Sequence, residues 1–129
     1  MAYEYLTCDI FTMTSDVWSY GVVLWEIFSF GRIPYGPQDF NDVISQLEKG
    51  CRLPCPYEVK DVSTWKVQRV YEDVTELCFV QDPNERGTFS HVVSVIENHL
   101  SEEELSFYAG MQEKYKLERS DYYTRLGRK

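Results

Sequence analysis

Ser15-Asp16-Val17-Trp18-Ser19-Tyr20-Gly21-Val22-Val23-Leu24-Trp25-Glu26-Ile27 is the stretch that decides the fold. From Val17 to Phe28 apolar residues fall on every side of a helix, and Gly21 and Glu26 are the main interruptions. A helix apolar all round needs partners in several directions, which places it at the centre of a domain. Thr14, Ser15 and Asp16 are N-cap candidates, and Asp16 sets an acid at the positive end of the helix dipole. Gly31 stops the helix, in a loop that carries Pro34 and Pro37. The expectation is a central buried helix at about 15–29.

Further helices flank it. One opens at Asp39, which can cap, with Asp42 three residues on. Val43, Ile44 and Leu47 give it an apolar stripe, and Gly50 ends it. Leu53-Pro54-Cys55-Pro56 reads as extended, because a residue before proline avoids the α region. Residues 57–66 read as irregular and polar apart from Val59, Val62 and Trp65, with a surface loop around Glu58 to Lys66. The next helix covers about Val67–Val80, with Val70, Val74, Leu77 and Cys78 on one face, until Asp82-Pro83-Asn84 breaks it. Another opens at Thr88 and is expected to turn Phe89, Val92, Val93 and Ile96 inward. Ser101-x-x-Glu104 is a capping box for a last helix with Leu105, Tyr108, Met111 and Tyr115 on one side. No segment reads as a strand, so the fold class is mainly α.

The chain has 129 residues, the size of one domain or a large piece of one. Its net charge of −8 argues against nonspecific binding to nucleic acid or anionic lipid, both of which want excess base. The charge is uneven. Residues 1–100 hold 15 acids and 7 bases, whereas residues 101–129 hold six of each. The tail also holds four of the ten tyrosines, so the chain divides into a body at 1–100 and a polar, partly helical tail at 101–129. Apolar residues at 43% are too many for a disordered chain. The longest apolar run, Tyr20 to Trp25, stops at Glu26, far short of the ~20 residues that span a bilayer. No basic-then-apolar leader opens the sequence.

Cys8, Cys51, Cys55 and Cys78 form no C-x-x-C pair, and His91 and His99 are the two histidines. A tetrahedral metal site needs closely spaced thiolates or imidazoles, so free buried thiols are expected and no metal ligand is assigned. No G-x-S-x-G, H-E-x-x-H or G-x-x-x-x-G-K-[ST] occurs. The Glu102-Glu103-Glu104 run reads as a solvated first helical turn. No catalytic residue, cofactor-binding residue or metal ligand is assigned in this chain.

Four motifs stand in order along the body. Ser15 to Ile27 resembles the S-D-V-W-S-[FY]-G-V-x-L-W-E-I run of protein-tyrosine kinases. Gly31-Arg32-Ile33-Pro34-Tyr35 is similar to their G-x-x-P-Y, and Gly50 to Pro56 to their G-x-R-L-x-x-P. Cys78 to Phe89 resembles C-W-x-x-D-P-x-x-R-P-T-F, and Met1-Ala2-Tyr3-Glu4 resembles the M-A-P-E that closes the activation segment. The chain thus resembles the last part of a receptor-like tyrosine kinase domain: the helical lower half of the large lobe, without the small lobe and the catalytic loop. The Gly-rich loop, the β3 lysine, H-R-D-x-x-x-x-N and D-F-G of that family do not occur in these residues. Tyr3 and Gly87 stand where the family has proline, Phe79 where it has tryptophan, and thirteen residues separate Pro56 from Val70, more than is usual.

The resemblance implies roles. Glu4 and Arg86 are expected to form a buried ion pair. Asp16 anchors the catalytic loop in a complete domain; in this chain it serves only as a helix-start acid. Val23 and Ile27 anchor the hydrophobic spine under the adenine, and Trp18 and Trp25 are core residues. Without an upper lobe the central helix is expected to be partly uncovered. Tyr108, Tyr115, Tyr122 and Tyr123 are candidate phosphotyrosines, which would carry a docking handle for phosphotyrosine-reading domains.

Two functions follow. The first is a fragment of a kinase whose complete domain, with ATP and Mg²⁺, transfers the γ-phosphoryl to protein tyrosine; this chain alone is expected to be inactive and to hold no cofactor. The second is a genuine short interaction or scaffold module without catalysis. Implied partners are the remainder of a kinase domain or other proteins, met through the exposed apolar helix surface. The implied location is cytoplasmic, including the cytosolic portion of a plasma-membrane receptor.

Overall fold

Thr12, and not Ser15, caps the central helix. In the computed structural model, which describes residues 1–62 and 65–127, the Thr12 hydroxyl accepts from Ser15 N at 3.1 Å. Ser15 Oγ in turn accepts from Thr12 N at 3.2 Å, which closes a capping box. The helix therefore begins at Met13, earlier than the sequence suggests, because Ser15 fills the third helical position of that box. The side chains of residues 60–62, 65 and 66, among them Val62 and Trp65, lie outside the described residues, as do Arg128 and Lys129.

The described residues form seven helices and no strand. They are α1 (Tyr3–Cys8), α2 (Met13–Phe28), α3 (Phe40–Glu48), α4 (Tyr57–Val62), α5 (Trp65–Cys78), α6 (Phe89–Asn98) and α7 (Glu102–Arg125). This is the mainly helical architecture that the resemblance implies. The chain separates into two compact units, 1–96 and 97–129.

In the first unit the core gathers around α2. Val17, Trp18, Val22, Leu47, Val74, Cys78, Phe79 and Val92 pack together, with Trp18 wholly buried. Helix α2 meets α5 closely enough that a Cβ on Gly21 would stand 2.7 Å from Cys78 Cβ and 2.8 Å from Phe79 Cε1. Glycine at 21 is thus a packing requirement. Phe79, where the family carries tryptophan, meets Trp18 edge-on at 5.4 Å and keeps the contact aromatic. Trp25 Nε1 donates to Pro54 O at 2.8 Å and ties α2 to the extended segment 51–56.

Only one side of α2 is buried. Val17, Trp18, Gly21, Val22 and Trp25 face the core; Asp16, Val23 and Ile27 lie on the opposite side, which is also apolar at its last two positions. Val23 is 48% and Ile27 62% exposed, so in this chain they are surface residues, not core contacts.

Three further expectations need correction. Residues 57–62, read as irregular, are helical, because Val59 buries against the body and Glu58 pairs with Arg32 at 2.9 Å. On α6, Val92 is buried and Ile96 packs on the core, but Phe89 and Val93 are exposed. Of the four thiols Cys78 alone is buried, whereas Cys8 and Cys51 are exposed and Cys55 is intermediate.

In the second unit Ser101 caps α7: its N–H donates to Glu104 Oε2 at 2.7 Å and its hydroxyl accepts from Glu104 N at 3.2 Å. No residue of α7 is buried.

Candidate functional site

Two arginines of the first unit, Arg86 and Arg52, reach the site by different routes. Arg86 follows α5, in the turn that Asp82 opens by accepting from Asn84 N at 2.8 Å. Its guanidinium forks onto Glu4 of α1: Nη1 donates to Oε1 at 2.6 Å and Nη2 to Oε2 at 2.9 Å. The remaining donors end on carbonyls, Nε on Val80 O at 2.8 Å, Nη1 on Thr14 O at 2.8 Å and Nη2 on Gln81 O at 3.1 Å. Glu4 also accepts from Ser15 Oγ at 3.0 Å. The group thus joins α1, the first turn of α2 and the turn after α5. Both Glu4 and Arg86 are buried.

Burial alone would raise the Glu4 carboxyl, but the hydrogen bonds from Arg86, the backbone and Ser15 outweigh it and hold the group below its ordinary value. A planar fork matched to a carboxylate, with its other protons satisfied by carbonyls, is the geometry in which a buried pair is tolerated.

Arg52 is the second arginine against Trp18. Its Nε donates to Phe79 O at 2.7 Å and its Nη1 to Leu47 O at 3.1 Å and Cys51 O at 2.8 Å. Arg52 and Arg86 both lie against the Trp18 ring, at 5.2 and 5.0 Å. The indole N–H of Trp18 is buried with no hydrogen-bond partner among the described residues.

The structure brings Glu4 and Arg86 together and holds Asp16, Val23 and Ile27 on one exposed side of α2. Asp16 is a solvent-facing first-turn acid. The tail tyrosines all lie on exposed α7: Tyr108 Oη accepts from Gln112 Nε2 at 3.0 Å, and Arg119 stacks on the Tyr123 ring at 5.5 Å. Sequence reasoning missed Ser15 as a partner of Glu4, and it missed Arg52. The signal for Arg52 was its place in a Gly-to-Pro loop beside an aromatic core. Nothing local marks Ser15 as more than a cap. Tyr3 takes a role of its own: its hydroxyl donates to Glu48 Oε1 at 3.0 Å and joins α1 to α3. Gly87 lies where a Cβ would meet Leu77 Cβ at 3.0 Å, so the missing side chain leaves room for that leucine.

These groups brace backbone; none of them pairs a nucleophile with a base. Comparison with known proteins agrees with the motifs. The family described as protein tyrosine and serine/threonine kinase matches residues 1–96. Ephrin type-A receptor 8 of Rattus norvegicus is 40% identical over 94 residues, which are 73% of this chain and 23% of that receptor. The chain therefore spans about a quarter of the length of the curated relative it matches. On both grounds, the match over residues 1–96 and the kinship with a receptor tyrosine kinase, this chain belongs to the protein tyrosine and serine/threonine kinase family.

Proposed function

We propose that residues 1–96 form the helical base of a protein-tyrosine kinase's large lobe, and that the complete domain transfers the γ-phosphoryl of ATP to protein tyrosine. The observation that carries this reading is the open side of α2. It holds an acid, Asp16, and two exposed apolar residues, Val23 and Ile27, in line along one helix. Exposed aliphatic side chains on a domain's central helix call for a cover. The remainder of a kinase domain supplies one, with Asp16 anchoring the catalytic loop and Val23 and Ile27 supporting the spine beneath the nucleotide.

The residues present do not fit ATP and Mg²⁺ by themselves. Among the described residues no three His, Cys, Asp or Glu side chains converge as a metal site. In this reading the 129 residues alone neither bind ATP nor phosphorylate peptide, because the Gly-rich loop, the β3 lysine, H-R-D-x-x-x-x-N and D-F-G do not occur in them. Tyr108, Tyr115, Tyr122 and Tyr123, all exposed on α7, are the phosphorylation sites of this reading. No helix among the described residues is long and apolar enough to cross a membrane. The reading places the chain on the cytosolic side of a plasma-membrane receptor, where phosphotyrosine-reading domains are its partners.

A chimera tests the proposal. Residues 1–96 replace the matching segment of an active receptor tyrosine kinase domain, and phosphorylation of a tyrosine peptide is followed. The expected result is an active chimera in which Asp16→Asn lowers kcat by about 10²-fold through misplacement of the catalytic loop. A folded chimera without activity, or one indifferent to Asp16→Asn, contradicts it. The second reading, a non-catalytic scaffold, rests on the same open helix side and is favoured if the folded chimera is inactive.

A further inference from the structure

Helix α7 runs for 24 residues, and none of its side chains is buried. Tyr108, Met111, Tyr115, Glu118, Tyr122 and Arg125 follow one another along it at steps of three and four residues. That is the spacing of one helix face, and of the seam of a two-stranded coiled coil. Tyr115, Glu118 and Tyr122 line one depression on this face. Gly110, Glu113, Leu117, Ser120 and Asp121 fall on the other side. Three tyrosines and a methionine, all exposed, thus form a stripe, and the face turned away from it has Leu117 as its one large apolar residue.

The charges are ordered along α7. Glu102, Glu103 and Glu104 fill its first turn, whereas Arg125, Arg128 and Lys129 come last in the sequence. An interface between two identical faces must be complementary to itself. A parallel pair of α7 helices would fail, because it sets Glu118 against Glu118, Arg125 against Arg125 and acidic turn against acidic turn. An antiparallel pair succeeds. With the overlap centred between residues 116 and 117, Tyr108 faces Arg125 of the second copy, Met111 faces Tyr122 and Tyr115 faces Glu118. An arginine over a tyrosine ring, a thioether against a tyrosine and a hydroxyl donating to a carboxylate are all favourable contacts. Glu118 can take part, since its contact with Lys114 of the same helix is loose, at 3.9 Å on the surface. Residues 1–100 hold 15 acids against 7 bases, and the chain enters α7 from them at its first turn. Antiparallel pairing attaches two such acidic bodies at opposite ends of a helix about 36 Å long, where parallel pairing would attach them side by side. A lipid surface fits less well: the face away from the stripe carries Glu102, Glu103, Glu113 and Asp121, and an interfacial helix is basic there.

We propose that α7 pairs with α7 of a second copy of this chain as an antiparallel coiled coil, closed along the stripe of Tyr108, Met111, Tyr115 and Tyr122. Glu118 and Arg125, which would repel their own copies in a parallel pair, set the direction. The pairing is independent of the kinase reading, because it uses residues of the second unit alone.

The unphosphorylated 129-residue chain is followed by sedimentation equilibrium from low micromolar concentration upward. The expected result is a mass that rises toward twice that of the monomer. Tyr115→Glu is expected to weaken the association by about tenfold or more, because each copy then sets a second acid against Glu118. Leu117→Glu, an equally exposed change off the stripe, is expected to leave it as it was. Direction is read by oxidation in a background of Cys8→Ser, Cys51→Ser and Cys55→Ser. Met111→Cys mixed with Tyr122→Cys is expected to cross-link, and neither variant to cross-link by itself. A monomer at every concentration, as when α7 is covered by residues 1–96 of its own chain, overturns the proposal. So do equal effects of Tyr115→Glu and Leu117→Glu, or cross-linking of Met111→Cys to itself.

Discussion

Glu4–Arg86 in the first unit and Lys114–Glu118 in the second are ion pairs that behave as opposites. Glu4 and Arg86, 82 residues apart in sequence, meet with side chains 8% and 0% exposed. Lys114 and Glu118 are one helical turn apart at 3.9 Å, 67–80% exposed. A buried pair whose lone pairs and protons are all answered holds elements together, and removal of one partner strands the other in low dielectric. An exposed pair is screened by water and salt and adds little. The first unit thus depends on single side chains. The second is a capped helix whose stability comes from its own backbone and its start.

The largest effect follows from that contrast. Arg86→Met or Glu4→Ala is expected to destabilise the first unit by about 3–5 kcal/mol, read by urea unfolding followed at tryptophan fluorescence. Wild-type midpoints in either variant would mean the pair is not what joins α1 to the turn after α5. Acid acts on the same group. Glu4 is held below its ordinary value of 4.5, so the stability it supplies is complete above about that pH and is lost as pH falls through the lower folded value. Glu4→Gln is expected to flatten that part of the pH profile.

Gly21→Ala comes next. Its new Cβ would press on Cys78 and Phe79 at under 3 Å, and overpacking of this kind costs about 1–3 kcal/mol. A neutral outcome in the same urea assay would show that α2 and α5 can separate without cost. Smaller still, Ser101→Ala removes the cap of α7 and should cost that helix about 1 kcal/mol, seen as lost amide protection over residues 102–106 with residues 1–96 unaffected. At the end of the scale, Lys114→Ala is expected to move no unfolding midpoint; a clear shift would erase the distinction between the two pairs.

The sequence carried the helical class and the order of elements because Gly and Pro punctuate it sharply: the breaks at Gly31, Gly50 and Asp82-Pro83 all fall between helices. It did not carry the sidedness of α2. A helix apolar on every face gives no periodic contrast, so residues alone cannot tell that Val22 is buried and Val23 exposed. The same ambiguity misplaced Val93, which sits beside buried Val92. Residues 57–62 looked irregular because the segment is polar and follows Pro54-Cys55-Pro56, yet Val59 supplies enough burial to seat a short helix there. Within the site, Glu4 and Arg86 were legible from the motifs. Ser15 was not, since a hydroxyl that caps its own helix and one that also bonds a distant carboxylate look alike in sequence.

A double-mutant cycle on Glu4 and Arg86, with Glu4→Ala, Arg86→Met and the double variant unfolded in urea at neutral pH, bears most directly on the idea that one buried fork clamps the first unit. The double variant is expected to lose clearly less than the sum of the two single losses, a coupling of about 2–3 kcal/mol. Additive losses, within about 0.5 kcal/mol, would contradict it.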